Sequence, residues 1–374
     1  MNIKHFKKLV LVSAITMAFN AHAGIELINT VDDDGQATKV TLGGYAKVDI
    51  RHVNGDIAYQ DYWLANFPGG TPTDTSHTGF NVKESRVNLK VQHGDVAGFV
   101  EMDFYGGGGN EVVSNSSTPR LRHFFITYKN WLVGQNWTTF MPLHALPESL
   151  DFGGPHVGEV FIRQTQVRYT HGNWQFAIEN PETNGDGDTG APLSGVGVSG
   201  NEADKDESIP DFVTTYTHKA DWGILSAGAL VRKVDQGGID EVAVAGNIAG
   251  QISTFDKDNL RFQVTFGEPG RYAAAALTGD IVENSSGETV VESTIAYTVA
   301  YQHYWNNTLR STAFYGGAET DELSRKRAHW GVNLMTNITK QLITGIEVGN
   351  YSISDAGMED IDSNYLQLSA KFSF

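Results

Sequence analysis

The chain ends in the ten residues YLQLSAKFSF, which are residues 365–374. Apolar side chains occupy every second position of this stretch, namely Leu366, Leu368, Ala370, Phe372 and Phe374. Because successive side chains of a β-strand point to opposite faces, the alternation predicts a strand with one continuous apolar face. An apolar face closed by an aromatic terminal residue is the signal that outer-membrane barrels present to the barrel assembly machinery, so a partner of that kind is expected. The alternative interpretation is an ordinary half-buried last strand.

The same period of two recurs along the chain, for example in residues 86–92, 260–266 and 295–302. Clusters of Gly, Asn and Asp separate these segments, and no segment has a convincing helical period. No apolar run reaches about 18 residues, which excludes a helical membrane protein. Barrel strands alternate polar and apolar residues, so their mean hydropathy resembles that of a soluble protein. The sequence therefore predicts an all-β chain.

The connections between the predicted strands alternate in length. Tight turns lie at residues 93–95, 129–130, 171–173, 219–221, 255–258, 306–307 and 339–340. Longer polar loops lie near residues 53–79, 106–118, 138–160, 180–208, 234–240, 268–289, 319–325 and 353–361. Short turns at one rim and long loops at the other are typical of outer-membrane barrels.

Seven turns and eight loops join 16 strands. Residues 271–281 also look extended, but a barrel with both termini on the periplasmic rim has an even number of strands, so this segment is assigned to the sixth loop. We therefore predict a transmembrane antiparallel β-barrel of 16 strands. Such a barrel is wide enough to enclose a water-filled channel instead of a packed core.

The first 23 residues have the features of a cleaved signal peptide. Lys4, Lys7 and Lys8 make a basic start, residues 9–19 are apolar, and Ala21-His22-Ala23 fits a small-residue cleavage site. A short membrane anchor is the alternative. We expect a short periplasmic segment at residues 24–38 and the barrel at residues 39–374. The predicted location is the outer membrane of a Gram-negative bacterium, with its lipid and lipopolysaccharide as surroundings.

Charge and composition exclude several other functions. The formal net charge is −17, and removal of the three lysines of the signal peptide takes it to −20, which argues against nucleic acid as a partner. The chain has no Cys, so disulfides and thiolate metal sites are excluded. The sequence contains no nucleophile elbow, no zinc-ligand spacing and no phosphate-binding loop. We therefore predict no enzymatic activity, no cofactor and no metal site.

The third long loop, residues 138–160, is the best candidate for narrowing the channel. It is too apolar for a loop in water, since it contains Met141, Leu143, Leu146, Leu150, Phe152 and Val157. Folded inward, the loop packs on the wall and presents three acids to the lumen, Glu148, Asp151 and Glu159. The alternative is an external loop that covers a neighbouring subunit.

Strand alternation predicts a basic wall opposite this loop. Inward positions are expected for Lys47, Arg51, Arg86, Lys90 and Arg168. Arg122 is ambiguous by alternation, because it shares its face with Phe124 and Ile126. Guanidinium groups bind carboxylates in a bidentate manner, so such a wall suits anionic solutes. Acidic residues concentrate in loops, and charges farther than about 8 Å from the constriction are largely screened.

Several stretches of the first half resemble the DcaP-like outer-membrane porins. They are Ser85-Arg86, residues 100–110 (VEMDFYGGGGN), Leu121-Arg122-His123, residues 134–137 (GQNW), residues 146–155 (LPESLDFGGP), Arg163-Gln164 and Arg168-Tyr169. The resemblance is strongest over residues 85–180. It implies a homotrimeric porin of 16 strands for small anionic solutes, with dicarboxylates as the expected class, and it favours an inward Arg122. Small or flat residues on strands one to five suggest the trimer contact: Gly43, Gly44, Ala46, Gly98 and Phe125.

We therefore predict an outer-membrane porin for passive uptake of small hydrophilic anionic solutes. The alternative is a structural, receptor or adhesin barrel without open-channel transport.

Overall fold

The computed structural model describes residues 24–64, 72–107, 112, 114–183, 207–236, 239–275 and 277–374. The predicted signal peptide, residues 1–23, lies outside the described residues. Within those ranges, no helix is long and apolar enough to cross a membrane.

The described residues form twenty strands and three short 3₁₀ helices. The strands are β1 (Ile25–Val31), β2 (Ala37–Gly55), β3 (Thr75–Asn81), β4 (Arg86–His93), β5 (Val96–Asp103), β6 (Arg120–Tyr128), β7 (Trp131–Trp137), β8 (Arg163–His171), β9 (Trp174–Glu179), β10 (Asp211–Ala220), β11 (Gly223–Gln236), β12 (Ile239–Ser253), β13 (Asn259–Gly267), β14 (Ile281–Glu283), β15 (Thr289–Val291), β16 (Thr294–Tyr304), β17 (Leu309–Thr320), β18 (Lys326–Asn337), β19 (Leu342–Ser354) and β20 (Ile361–Ser373). The 3₁₀ helices are Leu143–Ala145, His156–Gly158 and Gly270–Tyr272.

Sixteen strand positions form the wall of one closed antiparallel barrel. β20 pairs with β19 on one side and with β2 on the other, which closes the sheet. β3 and β4 both pair with β2 and together fill one position of the wall. β1 pairs with the first residues of β2, on the edge that β20 occupies farther along. The predicted 16-strand barrel is confirmed.

The second wall strand is interrupted at residues 82–85, between β3 and β4. Ser85 Oγ accepts a hydrogen bond from Lys47 N at 2.9 Å and donates one to Lys47 O at 3.1 Å. A side chain thus satisfies main-chain groups of β2 where the interrupted strand cannot. The interruption also brings Glu84 to Tyr45, whose hydroxyl donates to Glu84 Oε1 at 3.0 Å.

The two faces of the wall differ as a membrane barrel requires. Polar residues on the inner face are mostly buried, whereas large apolar residues on the outer face stay exposed. Examples of exposed outer residues are Val48, Phe80, Val96, Phe124, Trp131, Phe176, Phe212, Val244, Phe266, Ile295, Val332, Leu366, Leu368 and Phe372. The apolar face of the last strand therefore lies where lipid contacts the barrel.

A β-bulge in β6 decides which side chains of that strand face inward. Glu101 of β5 pairs with His123, but Met102 pairs with Leu121, so Arg122 is the extra residue. Both Arg122 and His123 are buried, whereas Leu121 is exposed. The bulge shifts the alternation by one position, which resolves the ambiguity of Arg122 in the sequence.

Phe125, predicted at the subunit contact, lies on the inner side of the same strand. Its ring centroid is 5.4 Å from that of Phe99 of β5. Its neighbour Phe124 is 60% exposed and takes the outward position instead. The prediction for Phe125 is corrected because the bulge reverses the two faces of β6 below Arg122.

Two of the loops that fold into the barrel contact each other. The constriction loop, residues 138–162, connects β7 with β8 and contains two of the 3₁₀ helices. The sixth loop, residues 268–293, connects β13 with β16 and contains the small β14–β15 hairpin. The loops meet at a bridge between Val160 and Ala273. The extended-looking segment 271–281 lies in the sixth loop, as the parity argument requires.

Candidate functional site

The constriction loop starts from a set of buried polar contacts. Thr139 N donates to Glu179 Oε1 at 2.7 Å. Arg168 Nε donates to Thr139 Oγ1 at 2.7 Å, and Arg168 Nη2 donates to Trp137 O. Arg168 therefore fastens the start of the loop. The prediction that Arg168 lines the open wall is corrected, because the side chain is buried and donates to Thr139, Gln166 and Trp137.

The loop then crosses to the opposite wall, where Arg310 of β17 holds Glu148. The fork consists of Nε to Oε2 at 2.6 Å and Nη2 to Oε1 at 2.5 Å. Asn333 Nδ2 donates to Glu148 O at 2.9 Å. Burial alone would raise the pKa of Glu148, but the Arg310 guanidinium holds it below its usual value. Glu148 was predicted to project into open lumen, and instead it is bound to a wall arginine.

Glu347 of β19 fixes the next part of the loop through its backbone. The carboxylate accepts hydrogen bonds from Leu150 N at 2.7 Å and from Asp151 N at 3.1 Å. Gln367 Nε2 and Lys47 Nζ each donate to Leu150 O at 2.7 Å. Main-chain donors and acceptors of the loop tip are thus satisfied by side chains of three wall strands.

Asp151 meets the predicted basic wall in a closed, buried contact. Arg51 Nη1 lies 3.2 Å from Asp151 Oδ1. Arg51 also donates to Gln367 Oε1 at 2.8 Å, and its guanidinium lies 4.3 Å from the ring centroid of Tyr365. Burial raises the pKa of Asp151 to about 7, although the Arg51 charge acts in the opposite direction. The acid and the base were both predicted here, but neither faces open water.

Glu159 is fully buried where the loop returns towards β8. Neither of its carboxylate oxygens has a hydrogen-bond partner in the part of the chain that the structure describes. The loop backbone is pressed against the wall, since a Cβ added at Gly158 would lie 2.1 Å from Tyr297 O. Burial raises the pKa of Glu159 well above its usual range, and the charge of Asp151 acts in the same direction. The prediction of a lumen-facing Glu159 is corrected, because this close packing excludes water.

Lys47 and Lys90, both predicted in the basic wall, have different surroundings. Lys47 is buried and forms ion pairs with Glu84 and, at 3.4 Å, with Asp49. Lys90 is exposed and pairs across the sheet with Phe99. It lies near the periplasmic turn after β4, so the structure does not bring it to the constriction loop.

Three arginines of the wall surround one ring of the constriction loop. The guanidinium carbons of Arg86, Arg120 and Arg122 lie 5.7, 6.0 and 5.6 Å from the centroid of the Phe152 ring. At these distances the cations interact favourably with the aromatic face. Arg86 and Arg122 were predicted from the sequence, whereas Arg120 was missed. The feature of the sequence that indicates Arg120 is its position two residues before Arg122, on the other side of the bulge from His123.

Two carboxylates partly neutralise these arginines. Arg122 Nε lies 2.9 Å from Glu101 Oε1, and Arg122 Nη1 lies 2.9 Å from Asp103 Oδ2. Arg120 forms a fork with Asp103 at 2.9 and 2.6 Å. Arg86 is 3.8 Å from Glu101. Each carboxylate is therefore shared between two guanidinium groups, which keeps their spacing rigid.

A fourth arginine, Arg163 at the start of β8, adds an unbalanced charge. Its guanidinium lies 5.0 Å from the centroid of the Trp137 ring, and that of Arg122 lies 5.6 Å from the same centroid. No ion pair of Arg163 is present among the described residues. In the sequence, Arg163 is marked only as part of the stretch that resembles the porin family. We name this group the arginine cluster: Arg86, Arg120, Arg122 and Arg163.

A cavity of about 300 Å³ adjoins the arginine cluster. Its lining combines two arginines with aromatic rings and a histidine, including Arg120, Arg163, Tyr62, Phe152, Phe161 and His156. Such a cavity offers an anionic solute both guanidinium donors and flat apolar surfaces.

The sixth loop is held by a separate buried cluster. Arg232 of β11 forms a fork with Asp280 at 2.7 and 2.8 Å. Arg271 Nη2 and Tyr272 Oη donate to Asp211 Oδ2 at 3.0 and 2.8 Å. The sixth loop also supports the constriction loop directly, through Ala274 N, which donates to the main-chain oxygen of Glu159 at 3.0 Å. The sequence did not predict this second inward loop.

A closed 16-strand barrel with an inward constriction loop is the porin fold, and it indicates a protein of the outer membrane of Gram-negative bacteria. Residues 29–175 match the model of the DcaP outer membrane protein family, which confirms the resemblance seen in the sequence. The comparison with curated proteins finds no relative of this chain.

Three solved structures share the fold. The outer membrane channel DcaP of Acinetobacter baumannii is 22% identical, with 93% of this chain and 100% of that chain covered and a TM-score of 0.75. An anion-selective porin from Comamonas acidovorans is 12% identical, with 90% and 100% covered and a TM-score of 0.57. OmpF of Salmonella typhi, in complex with daunomycin, is 14% identical, with 93% and 100% covered and a TM-score of 0.56.

Proposed function

We propose that this porin conducts small hydrophilic anions in preference to cations, with dicarboxylates as its solute class. The observation that supports this proposal is the arginine cluster, in which four guanidinium groups face two carboxylates, Glu101 and Asp103. The excess positive charge lies beside the aromatic surface of Phe152, where wall and loop shield it from mobile ions.

The cluster suits two carboxylates better than one. Arg163 and Arg120 both line the adjoining cavity, and each guanidinium presents paired N–H donors that match a carboxylate. Asp103 already engages Arg120, so a single carboxylate gains most from Arg163. A second carboxylate on the same solute reaches the remaining donors of the cluster, which favours dianions over monoanions.

Reversal potentials across planar bilayers under a KCl gradient test the preference for anions. We expect the native pore to favour chloride, and we expect Arg163→Gln to lower the anion-to-cation permeability ratio by up to about fivefold. This figure corresponds to about 1 kcal/mol for one unit charge at 4 Å in water. Lys340→Gln, which removes an exposed cation from a periplasmic turn, is the matched control.

Native selectivity for cations, or an unchanged ratio in Arg163→Gln, would contradict the proposed role of the cluster. An absence of ohmic steps would instead favour the receptor or adhesin barrel. Liposome swelling with dicarboxylates, monocarboxylates and neutral sugars of similar size tests the solute class. The dicarboxylates are expected to enter fastest.

We also propose a homotrimer, with the outer face of β5 and β6 as part of the contact. Val96, Met102 and Phe124 are exposed there, and a Cβ added at Gly98 would meet nothing within 4 Å. Gly43, also suggested for this contact, is corrected: its added Cβ would lie 2.8 Å from Asn88 Oδ1 on the inner face. We expect an oligomer that resists SDS until heated. A monomer in unheated SDS and in mild-detergent light scattering would contradict it.

A further inference from the structure

A second group of cations lies below the constriction loop, on the side of the periplasmic turns. Arg261 of β13 and Arg310 of β17 flank β16, and both side chains point inward. Gln302 of β16 lies between them. Arg261 Nη2 is 3.4 Å from Gln302 Oε1, and Gln302 Nε2 donates to Glu148 Oε2 at 2.5 Å. Arg310 donates two hydrogen bonds to the same carboxylate. Glu148 is therefore the only acidic side chain among these contacts.

Arg261 has donors to spare. A guanidinium carries five N–H groups, and Arg261 uses three of them, towards Asn259 Oδ1 at 2.8 Å, Leu146 O at 2.5 Å and Gln302 Oε1. None of its partners among the described residues is a carboxylate. Its side chain is half-buried, and the two remaining N–H groups have no hydrogen-bond partner among the described residues.

A third cation increases the positive charge of this region. Lys371 of β20 is half-buried and faces inward, with Nζ 5.4 Å from the ring centroid of Tyr45. Within the described ranges it has no carboxylate in ion-pair distance. Asp258, an acid at the nearby turn, is occupied elsewhere: it accepts hydrogen bonds from Tyr304 N at 2.8 Å and from Tyr301 Oη at 2.9 Å.

We propose that Arg261, Arg310 and Gln302 form a second carboxylate-binding site on the periplasmic side of the constriction, in which Glu148 of the loop competes with the solute for Arg310. This site rests on the proposed anion preference and extends it to the exit of the channel. A solute carboxylate binds the spare donors of Arg261, and Glu148 keeps the Arg310 fork from holding the solute too strongly. Conduction needs such weak, repeated binding, because a tightly held ion does not leave.

Single-channel block by succinate tests the site from each side of the bilayer. The native chain has no Cys, so a Lys340→Cys substitution allows a thiol-reactive polymer to mark the periplasmic side. We expect succinate on that side to interrupt the current of the native pore. Arg261→Gln is expected to raise the half-blocking concentration about fivefold. Arg261→Lys, which keeps the charge, is expected to raise it less.

Glu148→Gln is the decisive variant, because it removes a negative charge without adding a cation. We expect it to lower the half-blocking concentration on the periplasmic side and to lengthen each interruption, since the Arg310 fork is released. Asn333 Nδ2 and the Glu347 carboxylate do not depend on the Glu148 side chain and still bind the loop backbone in this variant. Lys340→Gln is again the matched control and is expected to leave block unchanged.

Periplasmic block that is the same in the native pore, Arg261→Gln and Glu148→Gln would overturn the second site. Weaker block in Glu148→Gln would also overturn it, since competition by Glu148 predicts the opposite sign. These results leave the proposed function intact if the native pore still prefers anions. Loss of anion preference in the native pore would instead remove the proposed function itself.

Discussion

The constriction loop and the sixth loop are held to the wall in different ways. The constriction loop is bound at several separate points, by Arg168 at its start, by Arg310 and Arg261 at its tip and by Glu347 through the backbone. The sixth loop depends on one compact group around the Arg232–Asp280 fork. A loop that is bound at separate points stays in place when most of these contacts are removed singly. A loop held by one buried ion pair is destabilised when either partner is removed.

This comparison predicts one exception on the constriction loop, the carboxylate of Glu347. It accepts hydrogen bonds from two loop N–H groups and from Asn333 Nδ2 and Tyr365 Oη, both at 3.0 Å. Hydrogen bonds to charged groups contribute about 1.5–3 kcal/mol each. We expect Glu347→Ala to release the loop tip, to raise single-channel conductance about twofold and to increase current noise.

Glu319→Ala is the control for this prediction. Glu319 is also a wall carboxylate, but it lies near the end of β17. Its side chain is 51% exposed and contacts Lys326. Native conductance in Glu347→Ala would show that the remaining contacts suffice, and Glu347 would then be no exception to the tolerance of the constriction loop.

The sixth loop is expected to respond to Asp280→Asn with a smaller change in conductance but a clear loss of stability. Removal of one partner of a buried ion pair costs about 3–5 kcal/mol, because the guanidinium of Arg232 stays buried. The temperature at which heating in SDS unfolds the barrel is expected to fall. Conductance is expected to rise only slightly, since the constriction loop, and not the sixth loop, narrows the channel. A larger conductance change than in Glu347→Ala would reverse the order of the two loops.

Local patterns predicted the barrel but not the partners inside it. Alternation and turn spacing are short-range features, so the sequence shows the strands, their number and the apolar constriction loop. The fork between Glu148 and Arg310 joins residues 162 positions apart, and no local pattern marks such a pair. The bulge at Arg122 adds one residue without a Gly or Pro to indicate it.

The sixth loop did carry a signal of the same kind as the constriction loop. Tyr272 and Leu277, with the alanines between them, make an apolar run inside a loop, and both side chains are buried. Alternation predicts an extended segment here, and only the even strand number assigns it to a loop. The apolar content of both loops indicates that they lie inside the barrel, because a loop in water gains nothing from such residues.

The smallest effect is expected at Glu159, where the two loops meet. Burial raises its pKa well above the usual 4.5, which favours the neutral carboxyl, and Glu159→Gln replaces this carboxyl with a neutral side chain of similar size. We expect native conductance and native selectivity from this variant. A higher anion preference than native would contradict a neutral carboxyl, since removal of an ionised carboxylate favours anions.

The pH dependence of stability separates Glu159 from its neighbours. The unfolded chain ionises at this position above about pH 4.5 while the folded barrel does not, so the unfolded state binds fewer protons and stability falls as pH rises. The pKa of Asp151 is also raised, to about 7, so Asp151 contributes to the same fall in stability in both proteins. The difference between native protein and Glu159→Gln therefore isolates Glu159. We expect the heat resistance of the variant in SDS to decline less than that of the native barrel between about pH 6 and about pH 9. Equal declines would show that Glu159 is ionised in the folded barrel, and that water reaches the junction of the two loops.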